Sequence, residues 1–481
     1  MTIDDILWVQ EALMKTIKRR FEQYLFYDYT GIEAHLEKMA INGWQINKIT
    51  PFYWEYRRIE PRKLTYAVTY FSEASEFNPF PTENQQTFRE YCKDVGWELV
   101  AEWAQMQIFC TEQENPVPIE TEESVKLKAI HKAMKKNFLP SSVVMLLLAL
   151  FQIVFQINII AEDPVYFLSN VTSLSTVLIW NILALYMLIN LIGYSVWYYK
   201  SKKSISVGGS CIESNYGYKK TSYFMWILLG ITILVSVVSL STQHFGWIGI
   251  IGIVNTTLLI ALVHIIKSSL KRAKASRRIN IIITIASCLI MSFVLTGAMA
   301  WGILQEINAG WFKNHQPVDT YTINMPNGSN HTWDIYKDEL PLKIEDFQNV
   351  NYEHYSYEWT VKESLLLGQF IARQDSFPDG QRAPELRYEI VEVKVDSLFE
   401  ICLKDYLEMY NYDWEEPIED KLYFLQVEEP VWQADKVYQL HVQNEALEEY
   451  ILCWGNRIVY INFDEIPTAE QITIVVEKLK G

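Results

Sequence analysis

The feature that most constrains this 481-residue chain is a set of five apolar runs, 140–161, 171–198, 223–241, 247–266 and 279–301, none of which holds an Asp, Glu, Lys or Arg. A helix rises about 1.5 Å per residue, so even the 22 residues of the first run span roughly 33 Å. That exceeds the roughly 30 Å hydrocarbon core of a bilayer. Ordinary soluble cores do not contain five such runs together, so the pattern predicts a bundle of five transmembrane helices in a lipid bilayer. Apolar residues make up 50% of the chain and mean hydropathy is zero, an average over greasy spans and water-soluble flanks.

The flanks give an orientation. Lys126, Lys128, Lys132, Lys135 and Lys136 precede the first run. Lys200, Lys202, Lys203, Lys219 and Lys220 separate the second from the third, and six more cations from Lys267 to Arg278 separate the fourth from the fifth. The other two connections, 162–170 and 242–246, hold no Lys or Arg. The positive-inside rule puts the basic side in the cytoplasm. The N-terminal segment is then expected in the cytoplasm of a cell membrane and the C-terminal segment outside it. Trp180, Trp197, Tyr223, Trp226, Trp247 and Trp301 fit aromatic belts. No apolar stretch opens the chain, so no cleaved signal peptide is expected.

The formal net charge of −16 is also a mixture: −4 over 1–139, +8 over 140–302 and −20 over 303–481. This acidity excludes a whole-chain nucleic-acid binder.

Residues 1–110 carry a duplicated pattern. An alternating stretch at 21–29 precedes a helix-like stretch at 32–41, then Gly43-Trp44 and a strand-like run to Tyr56. After a turn, 63–71 alternates again, 84–95 is helix-like, and Gly96-Trp97 opens a strand-like run from Glu98 to Phe109. The order reads βαββαβ, a ferredoxin-like α+β sandwich. Gly43 and Gly96 fall where a left-handed residue closes a helix, and Trp44 and Trp97 where a strand begins, so these four have structural roles. Residues 111–139 read as an acidic linker followed by a basic juxtamembrane helix whose lysines suit anionic headgroups.

The arrangement Gly31-x-Glu33-x-x-Leu36-x-x-Met39-Ala40-x-x-Gly43-Trp44, then Phe52-Tyr53, Tyr66-x-Val68-x-Tyr70 and Gly96-Trp97-Glu98-Leu99-Val100 resembles the domain-of-unknown-function family 2812. The resemblance covers about the first 110 residues. It implies a Firmicutes-type bacterial membrane protein and genetic company with PadR-type transcriptional regulators. It implies no chemistry, because the family has no established activity.

Inside the spans the polar groups are amides, hydroxyls and His264, with no carboxylate at mid-depth where transporters place one. Residues 303–481 read as an extracytoplasmic α+β domain. Strands are expected at 320–324, 333–336, 358–372, 386–396, 437–444, 449–454 and 457–463. Short helices are expected from 342 and over 397–411, and a final helix is capped by Thr468-x-x-Gln471. Asp413, Glu415, Glu416, Glu419 and Asp420 read as a solvated acidic loop, since they lack the spacing and glycine of a calcium loop. Cys402 and Cys453 suit either a disulfide or two buried thiols, and the sequons at Asn327 and Asn330 lie in a turn.

No phosphate-binding loop, dinucleotide fingerprint, HExxH, CxxC or GxSxG occurs, so no catalytic, cofactor or metal residue is expected. The favoured function is a sensor or regulator that couples the outer domain to a cytoplasmic partner, a PadR-type regulator by family association. The alternatives are a transporter or export accessory protein, which would depend on Asn181 or Asn190, and a membrane enzyme of unfamiliar type.

Overall fold

The computed structural model describes residues 16–50, 53–214, 217–242, 246–308, 317–324, 330–350, 353, 355–377, 383–410, 421–443 and 445–481. The acidic positions 413–420 and the sequon at Asn327 lie outside the described residues. The chain divides into two units, one of Met1–Gln152, Ile179–Thr232 and Ile251–Ala300, the other of Ile153–Leu178, Ile233–Ile250 and Trp301–Gly481.

The N-terminal domain of the first unit is two copies of one motif. The first copy is β1 (Ile17–Arg20), α1 (Tyr29–Ile41), β2 (Trp44–Ile49) and β3 (Trp54–Arg58). The second is β4 (Thr65–Tyr70), α2 (Glu83–Asp94), β5 (Glu98–Trp103) and β6 (Met106–Thr111). Each copy makes a three-stranded antiparallel sheet, in the order β1-β3-β2 and β4-β6-β5. The duplication extends to a register shift, between Ile46 and Lys48 in one copy and Leu99 and Ala101 in the other. Both shifts begin two residues after the Gly-Trp tryptophan. Gly43 and Gly96 have φ of +78° and +89°, a conformation that a Cβ disfavours.

Strand count is where this domain departs from the expected order. Residues 44–56 and 98–109, each read as one strand, are hairpins, so there are six strands in two sheets where the pattern suggested four. Neither turn carries an obvious glycine signal: the β5–β6 turn places Ala104 at φ +52°. The stretch 21–29 is not a strand. The first strand precedes it, and Leu25, Phe26, Tyr27 and Tyr29 within it are buried without the alternation of a strand.

Helix α3 (Glu123–Lys136) completes this domain. Its Leu127, Ile130, Ala133 and Met134 lie one helical turn apart and are buried in the same cluster as Leu36, Tyr56 and Val68. The stretch expected as a juxtamembrane linker therefore closes the core of the domain.

Asn137 separates α3 from α4 (Phe138–Glu162), which is followed by the short α5 (Pro164–Ser169), α6 (Val171–Ser206), α7 (Gly217–Thr242), α8 (Gly246–Arg272) and α9 (Arg277–Asn308). Five of these helices are long and apolar enough to cross a membrane, and at most 22% of the residues in any of their apolar stretches are buried. Side chains such as Phe151, Phe155 and Phe293 are left outward, as in a multi-pass membrane protein.

The C-terminal domain of the second unit begins with the hairpin β7 (Asp319–Asn324) and β8 (Asn330–Ile335). Then come β9 (Tyr355–Glu363), β10 (Leu367–Ser376), β11 (Leu386–Val393), α10 (Phe399–Leu407), β12 (Leu422–Gln426), β13 (Lys436–Val442), β14 (Glu445–Trp454), β15 (Arg457–Asn462) and α11 (Ala469–Leu479). Seven strands form one antiparallel sheet ordered β12-β13-β14-β15-β11-β10-β9. The run 358–372 is a hairpin, β12 has no counterpart in the sequence reading, and the helix expected from 342 is one 3-10 turn at Ile344–Asp346.

This sheet is covered on both faces. Along β14, Tyr450, Leu452 and Trp454 point to the side of α11, where Ile472, Val475, Val476 and Leu479 are buried. Ile451 and Cys453 point to the opposite side, with Leu403 of α10. Thr468 Oγ accepts from Gln471 N and Gln471 Oε1 accepts from Thr468 N at 2.8 Å, so α11 starts with the expected capping box.

Candidate functional site

Each unit contains a joint between its folded domain and ends of the long apolar helices. In the first unit the centre is Tyr27, whose ring lies 5.2 Å from that of Tyr194 and 4.8 Å from that of Trp197, both on α6. Trp197 Nε1 donates to Ile212 O at 2.7 Å, which ties the loop after α6 to the same aromatic stack. From α3, His131 stacks on Tyr198 at 4.1 Å, and its Nδ1 lies 2.6 Å from Tyr194 OH. Aromatic pairs of this kind add about 0.5–1.5 kcal/mol each beyond area burial.

Other helices are tied to the same domain. Ser222 Oγ of α7 donates to Gln23 Oε1 at 3.2 Å, and Tyr223 OH donates to Phe21 O at 3.1 Å. Lys267 of α8 pairs with Glu76 at 2.5 Å. Asn280 of α9, fully buried, donates to Phe77 O at 3.3 Å. The segments 21–27 and 72–78, irregular in the domain, thus grip the helices together with His131 of α3.

In the second unit the joint is α5. Asp163 Oδ1 accepts from Tyr166 N at 2.9 Å and Pro164 occupies the first turn, a strong helix start. The helix buries Val165, Phe167 and Leu168 against Leu367, Val391, Cys402 and Ile451. Hydrogen bonds fix it there. Ser364 Oγ donates to Leu168 O at 2.6 Å, Asp405 Oδ2 accepts from Val165 N at 3.3 Å, and Ser169 Oγ donates to Gln369 Oε1 at 3.2 Å. The Lys362 ammonium lies 3.8 Å from the Tyr166 ring centroid. Burial pushes the Asp405 carboxyl up to about 6, against the pull of the Val165 N–H, and burial lowers Lys362.

The sequence missed α5, reading 162–170 as a plain exit loop. The available signal was Asp163-Pro164 before Val165, Phe167 and Leu168. The aromatic joint of the first unit had no sequence signal, because its members are far apart along the chain.

The residues singled out in the sequence sit as follows. Trp44 is half-buried, with Lys18 and Arg58 about 5 Å from its ring. Trp97 is buried and its Nε1 donates to Val117 O at 2.9 Å, pinning the acidic linker. Cys402 and Cys453 are buried free thiols in one cluster, pushed up by burial to about 11 and about 12. Asn190 is buried and donates to Tyr186 O one turn back at 2.7 Å. Among the described residues no three His, Cys, Asp or Glu side chains gather where they could hold a metal.

Residues 28–141 match the model of a family described as protein of unknown function, DUF2812. The matched span runs through α3, as the core of the domain does. No curated protein and no solved structure matches the chain.

Proposed function

We propose that the protein is a membrane sensor or regulator in which the C-terminal domain lies outside the cell, the N-terminal domain lies in the cytoplasm, and the state of the first reaches a cytoplasmic regulatory protein through the second. The supporting observation is the pair of joints. A receptor of this kind needs its folded domains fixed to span ends by packed side chains, so that a shift in one is felt by a helix. Tyr27 with Tyr194 and Trp197, and α5 on β10 and α10, supply such fixings. The basic flanks of 124–136, 200–220 and 267–278 support the orientation. The ferredoxin-like reading is kept only as a likeness of each strand–helix–strand half to the βαβ units of that sandwich.

The test is capture of the full chain, tagged in its N-terminal domain, from cells with and without envelope stress. Stress-dependent recovery of a transcriptional regulator is the expected result. Failure to recover one, together with an unchanged transcript profile when the gene is deleted, contradicts the proposal.

A further inference from the structure

The first unit holds a cleft of about 510 Å³ beside the Lys267–Glu76 pair of the joint. Its walls come from the end of β2, the 74–81 segment, α2, the β5–β6 turn and the C-terminal end of α8. Five cations line it, Lys48, Arg89, Lys267, Lys271 and Arg272, against two carboxylates. Both carboxylates are already engaged, Glu76 by Lys267 and Glu102 by Arg89. Lys271 and Arg272 make no ion pair among the described residues and are exposed, and Lys48, also exposed, lies opposite Glu55 across the β2–β3 pair and helps to lower that carboxyl. In addition, Arg89 Nε and Trp103 Nε1 are shielded from water and have no acceptor. The wall therefore has more donors and more positive charge than the protein itself satisfies.

The positive-inside bias accounts for cations at the end of α8. It does not account for Lys48 and Arg89, which belong to the N-terminal domain and face the same space. Two separate parts of the chain converge on one cationic cleft, and such a cleft focuses potential on an anion. Its position points to a kind of anion. From Gly246 onward, α8 carries no charge until Lys267, so the cations begin where the apolar run ends. Phe80, exposed at 56%, stands at the same opening. Lysine and arginine beside an apolar surface at that level suit a phosphate group.

We infer that this cleft binds a phosphate-bearing anion, with the headgroup of an anionic membrane lipid as the first source and free inorganic phosphate as the second. The inference stands on the cleft alone and does not depend on a sensing role.

The test uses the full chain purified in detergent. Native mass spectrometry reads retention of added phosphatidylglycerol or phosphatidylcholine, and equilibrium dialysis reads inorganic phosphate. The variant is Lys271→Gln with Arg272→Gln, and the control is Lys200→Gln with Lys203→Gln, which removes two exposed cations elsewhere. Phosphatidylglycerol, and not phosphatidylcholine, is expected to remain bound to the wild type. The cleft variant should weaken it by about thirtyfold, the effect of two surface cations, with the control unchanged. Binding of inorganic phosphate alone, with the same dependence on the cleft variant, supports the site with a soluble source. Equal loss in both double variants, or no binding of either probe, overturns it.

Discussion

Glu33 lies on α1 with its Oε1 accepting from Val68 N of β4 at 2.8 Å. Burial raises its carboxyl to about 7, although the Val68 N–H and Lys126 both favour the charged form. The sign of the consequence follows from proton linkage. The folded state holds this proton up to about pH 7 while the unfolded state loses it near 4.5. The contribution of Glu33 to stability is therefore greatest below the lower value, is lost as pH rises between the two, and changes no further above the higher one. The slope in that window is at most about 1.4 kcal/mol per pH unit. Glu33→Gln keeps an oxygen for Val68 N and removes the titration. It is expected to raise the melting temperature at pH 7.5 and to flatten its fall between pH 5 and 7. A fall as steep as the wild type's would contradict this account. This group's setting was not legible in the sequence, where Glu33 appears only as a family-motif position and its partner is 35 residues away.

At the scale of elements, Ser364 makes the shortest of the three hydrogen bonds that fix α5 to the sheet and α10. This buried hydroxyl donates to Leu168 O and accepts from Leu366 N and Leu367 N at 2.9 and 3.1 Å, so it closes the β9–β10 turn and seats the helix together. Ser364→Ala leaves those groups without their partner and is expected to cost about 1–3 kcal/mol. Phe167→Ala opens a cavity on the sheet and is expected to cost about 3–5 kcal/mol. Denaturant unfolding of the full chain followed by tryptophan fluorescence checks both, and a null effect of Phe167→Ala would mean that α5 does not pack there. Elements with strong local signals were legible in the sequence. The five apolar runs, the Gly-Trp helix ends and the Thr468 cap all depend on neighbours within a few residues. The hairpins at 98–111 and 355–376 were not, because their turns use Ala104 and Ser364 rather than glycine or proline pairs. The joints were not legible either, since their partners are brought together only by the fold.

For the whole molecule, the duplicated N-terminal domain, the five long apolar helices and the sheet-rich C-terminal domain each follow from a different part of the sequence pattern. The proposal that the two domains lie on opposite sides of a membrane rests on the distribution of lysine and arginine. The native cysteines are poor reporters of it, because Cys92, Cys402 and Cys453 are all buried with thiols pushed up to about 11 or 12. Exposed positions serve better. Lys404 on α10 and Lys93 on α2 are both on the surface of their domains. The deciding measurement is labelling of Lys404→Cys and Lys93→Cys by a membrane-impermeant maleimide in intact cells. The account predicts that Lys404→Cys is labelled and that Lys93→Cys is labelled only after lysis. Labelling of Lys93→Cys alone, or of both positions alike in intact cells, would contradict it.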